Sequence, residues 1–333
     1  MQRPEPIDVS ILVVSYNTRD LTLACLTSIG AETKRVAYEV IAVDNASSDG
    51  TAEALRAHPL VHELVASPEN IGFARANNLA ARQVSGEFIL LLNPDSVILD
   101  GAIERLVDFA CANPTAGIWG GRTLFADRTL NPSSCWGRMT PWNLFCRATG
   151  LTGLFSRSAV FNGEAYGGWL RDRAASVDIV SGCFLLIRRS LWEDLGGFDP
   201  AFFMYGEEAD LCLRARGHGA RPMITPDATI IHLGGASERT RSAKMIKLLA
   251  AKTTLIRRHW HPAMQPLGVA LMAAWPLSRW LALELAGAVR PSAAVADTAA
   301  SWRQIWRQRT DWLGGYCRQV ANSRARTLAS TGH

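Results

Sequence analysis

Five apolar residues, Phe88-Ile89-Leu90-Leu91-Leu92, run straight into Asn93-Pro94-Asp95-Ser96. Such a run fits a strand buried on both faces, and open parallel sheets bind ligands just beyond the carboxyl ends of their strands. Asp95 stands at that point, where a carboxylate can hold a hard divalent cation that in turn grips a diphosphate. Asp44 ends a second apolar run, Val40-Ile41-Ala42-Val43. As a pure acceptor it can take the imide N–H of a uracil or thymine ring, or it can cap the turn that follows. Far downstream, Glu207-Glu208-Ala209-Asp210 follows an aromatic, glycine-punctuated approach. Glu208 suits a general base beside an acceptor hydroxyl, with Glu207 and Asp210 as neighbours that position it; an acidic first helical turn would also satisfy the helix dipole. His232 closes Ala228-Thr229-Ile230-Ile231 and precedes Leu233-Gly234-Gly235-Ala236-Ser237. There it can complete a metal site, contact a diphosphate, or serve structure alone. Asn70, Gly72 and Arg75 open another helix, where anions are favoured and Arg75 can meet a base or a phosphate, or simply be solvated.

The elements that must position these groups alternate. Strands are predicted at 10–15, 39–44, 61–66 and 88–92, helices at 21–29, 51–57, 71–83 and 101–112, which makes a largely parallel sheet flanked by helices. The loop after Val14 falls on the same sheet edge as Asp44. Residues 120–175 read as loops with short strands, followed by a strand candidate at 177–188, a short helix at 189–195 and a helix from about 207 to 216. Beyond lie an amphipathic helix at 244–259 and a strongly apolar run at 267–289. No internal repeat is visible.

Composition sets limits. With 48% hydrophobic and 20% charged residues among 333, the chain can bury a large core and is not globally disordered. Seven scattered cysteines without C-x-x-C spacing point to a reducing compartment and away from a zinc ribbon or a disulfide framework. The polar start Met1-Gln2-Arg3-Pro4-Glu5-Pro6 carries no apolar signal segment, so a cytoplasmic location is expected. The net charge of +5 is concentrated beyond residue 240, from Arg241, Lys244 and Lys247 to Arg318, Arg324 and Arg326. An anionic surface is the expected partner. Trp260, Trp275, Trp280, Trp302, Trp306 and Trp312 among these cations favour a bilayer over a nucleic acid, with helices lying in the interface. Pro276, Arg279 and Glu284 interrupt the run at 267–289, which is otherwise long enough to span. A helical appendage packed on protein is the other reading of this tail.

Taken in order, Val13-Val14-Ser15-Tyr16-Asn17, Val43-Asp44-Asn45-Ala46-Ser47-Ser48-Asp49-Gly50-Thr51, Asn70-Ile71-Gly72-Phe73-Ala74, Leu92-Asn93-Pro94-Asp95, Val180-Ser181-Gly182, Gly197-Phe198-Asp199, Glu207-Glu208-Ala209-Asp210-Leu211 and His232 resemble glycosyltransferase family 2, and within it the bacterial rhamnosyltransferase-like branch. The resemblance spans residues 8 to about 240. It implies an α/β, GT-A (Rossmann-like) catalytic domain over 1–240, with a nucleotide-sugar-binding half at 8–115 and an acceptor-binding half at 116–240, followed by a basic, Trp-rich helical tail at 241–333. The implied activity is inverting transfer from a nucleoside diphosphate sugar, dTDP-rhamnose being favoured by the branch; the basic, Trp-rich tail beside such a core points to a polyprenyl-diphosphate-linked cell-envelope glycan as acceptor, at the inner membrane face. Mg²⁺ or Mn²⁺ is the implied cofactor, no nucleic acid is expected, and homo-oligomerisation is left open.

By the same resemblance Ser15, Tyr16, Asn17, Asp44, Asn45, Asn70, Gly72, Arg75, Asn93 and Asp95 face the nucleotide sugar. Asp95 and His232 hold the metal or the diphosphate, Glu208 is the base, and Gly182, Glu207 and Asp210 lie on the acceptor side. Asn93 stands in place of the first acid of Asp-x-Asp, which implies a metal held weakly until the diphosphate arrives. Glu208 stands where the branch usually has Asp, a longer reach with the same chemistry. A non-catalytic nucleotide-sugar-binding or scaffold protein is the alternative.

Overall fold

The computed structural model describes residues 6–234 and 240–316. They divide into two compact units, the first made of residues 6–137, 169–203 and 207–234, the second of 138–168, 204–206 and 240–316. Gly235-Ala236-Ser237 and Cys317, Arg318, Arg324 and Arg326 lie outside the described residues.

In the first unit, strands β1 (Val9–Ser15), β2 (Tyr38–Asp44), β3 (Glu63–Ala66) and β4 (Phe88–Leu92) pair in parallel in the order β3-β2-β1-β4. Every residue of β1 and β4 is buried, as continuous apolar runs between two helical layers require. The helices α1 (Arg19–Glu32), α2 (Thr51–Ala57), α3 (Phe73–Ala80) and α4 (Ala102–Ala112) connect or follow these strands. In α4 the buried Ile103, Leu106, Val107 and Ala110 recur at the spacing of one helical face. Such crossovers put all four strand carboxyl ends on one edge.

The sheet then becomes mixed. Strand β5 (Ser96–Ile98) follows β4, β6 (Ile118–Leu124) comes after α4, and the short β7 (Leu130–Asn131) pairs with β6. β8 (Cys135–Trp136) pairs with β10 (Ile179–Val180) as a separate ribbon, and β9 (Ala175–Ser176) pairs with β12 (Met223–His232). β11 (Phe184–Arg188) is antiparallel to both β4 and β6, whereas β12 runs parallel to β6 and antiparallel to β5. Two reversals restore direction, so β12 delivers His232 to the edge where β4 delivers Asn93. The helices α7 (Arg189–Leu195) and α8 (Glu207–Gly217) complete this unit.

The second unit is helical: α5 (Pro141–Thr149), α6 (Leu151–Leu154), α9 (Arg241–His259), α10 (Gln265–Val289), α11 (Ala293–Arg307) and α12 (Arg309–Trp312). The stretch read from the sequence as loops therefore contains α5, whose Thr140 side chain accepts the Asn143 N–H and whose end is Gly150 at φ 89°. Here α10 packs on α5, α9 and α11. Trp275, Trp302 and Trp312 are buried: Trp275 meets Trp302 at 6.1 Å, and the Arg147 guanidinium lies 4.8 Å over Trp275. These rings fill the helical core rather than an interface. The charges in α10 are also accommodated by protein, since Glu284 pairs with Arg303 and accepts from the Trp280 ring N–H, and Arg279 donates to the Arg147 carbonyl. By length and composition alone Pro262–Val289 could cross a membrane.

Candidate active site

The carboxyl edge collects most of the predicted groups. Ser15 and Asp44 are register partners at the ends of β1 and β2, and the Asn45 N–H donates to the Ser15 carbonyl. The two loops are then tied together: the Asn17 N–H donates to Ser47 Oγ, and Asn17 Oδ1 accepts the Ser48 N–H at 2.8 Å. Asn17 takes the left-handed conformation (φ 53°) to do so. Tyr16 stays exposed on the same loop. Asp44 is buried to 3% exposure; its Oδ2 accepts the Ser47 N–H at 3.2 Å, while its Oδ1 is buried without a hydrogen-bond partner. A buried carboxylate oxygen with nothing to accept is costly unless a ligand supplies the donor.

Asn45 extends the ledge. Its Oδ1 accepts the Ile71 N–H and its Nδ2 donates to Asn70 Oδ1, which also accepts the Gly72 N–H. Gly72 has φ 82°, and a Cβ there would stand 2.4 Å from the Phe203 carbonyl oxygen. That carbonyl accepts the Phe73 N–H at 2.9 Å, so glycine is what lets the start of α3 close on the segment before α8. Arg75 is exposed, its Nε donating to the Pro200 carbonyl.

The second cluster lies across β1. Asp95 is buried; its Oδ2 accepts the Gly234 N–H at 2.9 Å and its Oδ1 lies 3.3 Å from His232 Nε2. Asn93 Nδ2 is 3.2 Å from the same ring nitrogen. The residue in place of the first acid therefore contacts the histidine. Burial works against a charged ring, yet the adjoining Cys183 sulfur and Asp95 outweigh it and raise the His232 pKa to about 10. Burial likewise opposes the Asp95 charge, and the His232 ring with the Gly234 N–H holds its carboxyl below the usual range. The two shifts describe one ion pair. His232 Nδ1 is buried without a partner.

Glu208 reaches this corner through Gly182. The Asn93 N–H donates to the Cys183 carbonyl, which fixes the Ser181–Cys183 turn beside Asn93. A Cβ on Gly182 would lie 3.6 Å from Glu208 Cβ and 3.6 Å from the Phe73 ring. Glu208 is half-buried at the start of α8 and Glu207 is buried.

Two predicted residues point elsewhere. The Ser15 hydroxyl is enclosed with those of Thr18 and Thr22, at 2.9 and 2.8 Å, and Asp210, 1% exposed, binds Arg214 Nε at 2.7 Å. Arg214 then donates to the Leu195 and Gly197 carbonyls, so Asp210 braces α8 against the turn after α7. Trp192 and Phe198 stack edge to face at 5.1 Å as core. Asn131, absent from the expected set, donates to the His232 carbonyl at 3.1 Å from 101 residues away, a partnership no local pattern could reveal.

The donor set was tested for a metal. Among the described residues no group of three or more His, Cys, Asp or Glu is arranged to hold an ion. Asp95, and His232 in its neutral form, fit as two protein donors of a site that a diphosphate would have to complete, since a hard cation takes about six.

Residues 10–196 match the family described as Glycosyl transferase family 2. Over 236 residues the chain is 30% identical to "O-antigen biosynthesis protein RfbC" of Myxococcus xanthus, covering 69% of this chain and only 18% of that protein. It is 29% identical over 234 residues to the "N-acetylglucosaminyl-diphospho-decaprenol L-rhamnosyltransferase" of Mycobacterium tuberculosis, covering 67% of this chain and 75% of the relative. The fold is similar to that of the mannosyltransferase PcManGT from Pyrobaculum calidifontis, solved in complex with GDP-Man and Mn²⁺, at TM-score 0.56 and 22% identity over 95% of this chain and 87% of that one. With its GT-A sheet, its flanking helices and the family match over more than half its length, the chain belongs to glycosyltransferase family 2 and is a glycosyltransferase.

Proposed function

We propose that the protein moves a sugar, with L-rhamnose from dTDP-rhamnose as first choice, from a nucleoside diphosphate to a hydroxyl of a lipid-linked cell-envelope glycan, with inversion at the anomeric carbon. The observation that carries this reading is the Asp95–His232 pair at the carboxyl edge of the sheet, beside the Gly182 turn that meets Glu208. The relative named for transfer to a decaprenol-linked acceptor supports the donor and acceptor classes.

Asp44 receives the imide N–H of the base on its unpartnered oxygen. Asn45, Asn70 and the Gly72 turn shape the wall beside it, and Arg75 covers the nucleotide. His232 stabilises the negative charge that grows on the departing diphosphate. Asp95, joined by His232 once its ring has given up its proton, would hold a divalent cation, which when bound neutralises diphosphate charge. Glu208 takes the proton of the attacking hydroxyl, and Glu207 and Asp210 keep α8 in place for that step. A single displacement needs no covalent nucleophile. The basic tail and an anionic membrane face bring the enzyme to its acceptor.

Transfer from a panel of UDP-, dTDP- and GDP-linked sugars with Mg²⁺ or Mn²⁺, followed by product analysis, tests the reading. Turnover with dTDP-rhamnose supports it. Nucleotide binding with no transfer from any donor would favour the scaffold alternative.

A further inference from the structure

We propose that an aromatic cap on the helical unit, formed by α5, α6 and the loop to residue 161, docks on an anionic bilayer. The inference rests on the membrane setting proposed above and names the surface that meets the lipid. Trp142 is 46% exposed, Phe145 42%, Leu154 75%, Phe155 44% and Val160 61%. They form one patch: Trp142 stacks on Phe145 at 5.6 Å, and Phe161 joins Trp142 at 6.0 Å and Phe155 at 4.8 Å. Contiguous exposed apolar surface of this kind marks an interaction site.

Two observations choose a lipid surface. Several polar groups of the cap are satisfied within it. The Trp142 ring N–H donates to the Val160 carbonyl at 2.9 Å, and the Thr152 hydroxyl donates to the Phe161 carbonyl. Ser158 Oγ accepts the Val160 N–H, and Asn162 Nδ2 donates to the Ser156 carbonyl. These groups can thus leave water without being stranded, which lowers the cost of moving the apolar side chains toward hydrocarbon. The charge pattern agrees. Residues 138–168 contain a single acid, Glu164, which is buried and paired with Arg147 and Lys252, whereas Arg157 is exposed beside Phe155 and Val160. An apolar centre with the Arg157 cation beside it and no exposed carboxylate within residues 138–168 is complementary to acidic headgroups.

The test is flotation of the full-length protein with vesicles of phosphatidylglycerol and phosphatidylethanolamine, against vesicles of phosphatidylcholine. Wild type is expected to float with the anionic vesicles at low salt. The triple variant Leu154→Ser, Phe155→Ser, Val160→Ser is expected to lose roughly tenfold or more in vesicle affinity. Arg157→Glu, which leaves the apolar side chains in place, is expected to lose severalfold at low salt and little at high salt. UDP-induced thermal shifts equal to wild type report that both variants are folded. Equal flotation of wild type and both variants would overturn the cap while leaving the membrane setting intact. Absence of wild-type flotation would overturn both. Dimerisation by light scattering that the triple variant abolishes, without vesicle binding, would assign the patch to a second copy and overturn the proposal. Flotation reads no sugar transfer, so the donor assignment stands or falls separately.

Discussion

Replacing Asp44 by Asn separates a base-reading carboxylate from a turn-forming one. In the structure Asp44 Oδ2 accepts the Ser47 N–H at 3.2 Å, and Oδ1 is buried without a partner. Asparagine can keep the turn by placing its amide oxygen at the Oδ2 position. Its NH₂ group then occupies the Oδ1 position and faces the imide N–H of uracil or thymine, donor against donor. What is lost is a hydrogen bond to a charged acceptor, worth about 1.5–3 kcal/mol, or roughly 10- to 100-fold in affinity. Cytosine presents an acceptor at the same ring position, so CDP should lose little or even gain. Calorimetric titration of UDP, dTDP and CDP against wild type and Asp44→Asn measures this directly. A uniform loss across the three nucleotides would mean that the turn had collapsed, and unchanged UDP and dTDP affinity would remove Asp44 from base recognition.

Glu208→Gln keeps the size of the side chain and removes the proton acceptor, so transfer should fall to background while nucleotide affinity by calorimetry stays within about twofold; normal turnover would end its assignment as base. Gly72→Ala must place a Cβ 2.4 Å from the Phe203 carbonyl at φ 82°, and a loss of roughly 2–4 kcal/mol is expected in urea unfolding. In the helical unit burial pushes the Glu164 carboxyl up, but Lys252 and Arg147 together hold it below its ordinary range. A depressed folded-state value means stability that is present above the unfolded pKa of about 4.3 and is lost as pH falls through the folded value. Thermal melts of wild type should therefore weaken in that acidic window, and Glu164→Gln should flatten the dependence while costing about 3 kcal/mol at neutral pH; equal pH profiles would refute the buried triad.

Much of the first unit was legible because its strands are long apolar runs and its helices begin at marked turns. The predicted strand at 88–92 and helices at 51–57 and 189–195 coincide with β4, α2 and α7. The candidate at 177–188 was one run in the sequence and is two short strands in the fold, because the Gly182 turn breaks it beside Asn93. Helix α5 escaped notice because Pro141, Trp142 and Asn143 look like loop until Thr140 is seen to cap them. Ser15 sits in a recognisable motif, yet its hydroxyl is spent on Thr18 and Thr22.

The chain by itself determined the alternation of strands and helices, the carboxylates at the strand ends, and hence the carboxyl edge as the place for a nucleotide sugar, since these depend on local periodicity and turn residues. Only the tertiary structure decided which of those groups meet. Two antiparallel reversals through β11 bring His232 onto Asp95 and Asn93 from more than a hundred residues away, and the Gly182 turn admits Glu208 to the same corner. Burial, too, is a property of packing: Trp275, Trp302 and Trp312, which composition could not distinguish from interfacial anchors, fill the core of the helical unit, while Trp142, Phe145 and Phe155 of α5 and the loop after α6 are exposed.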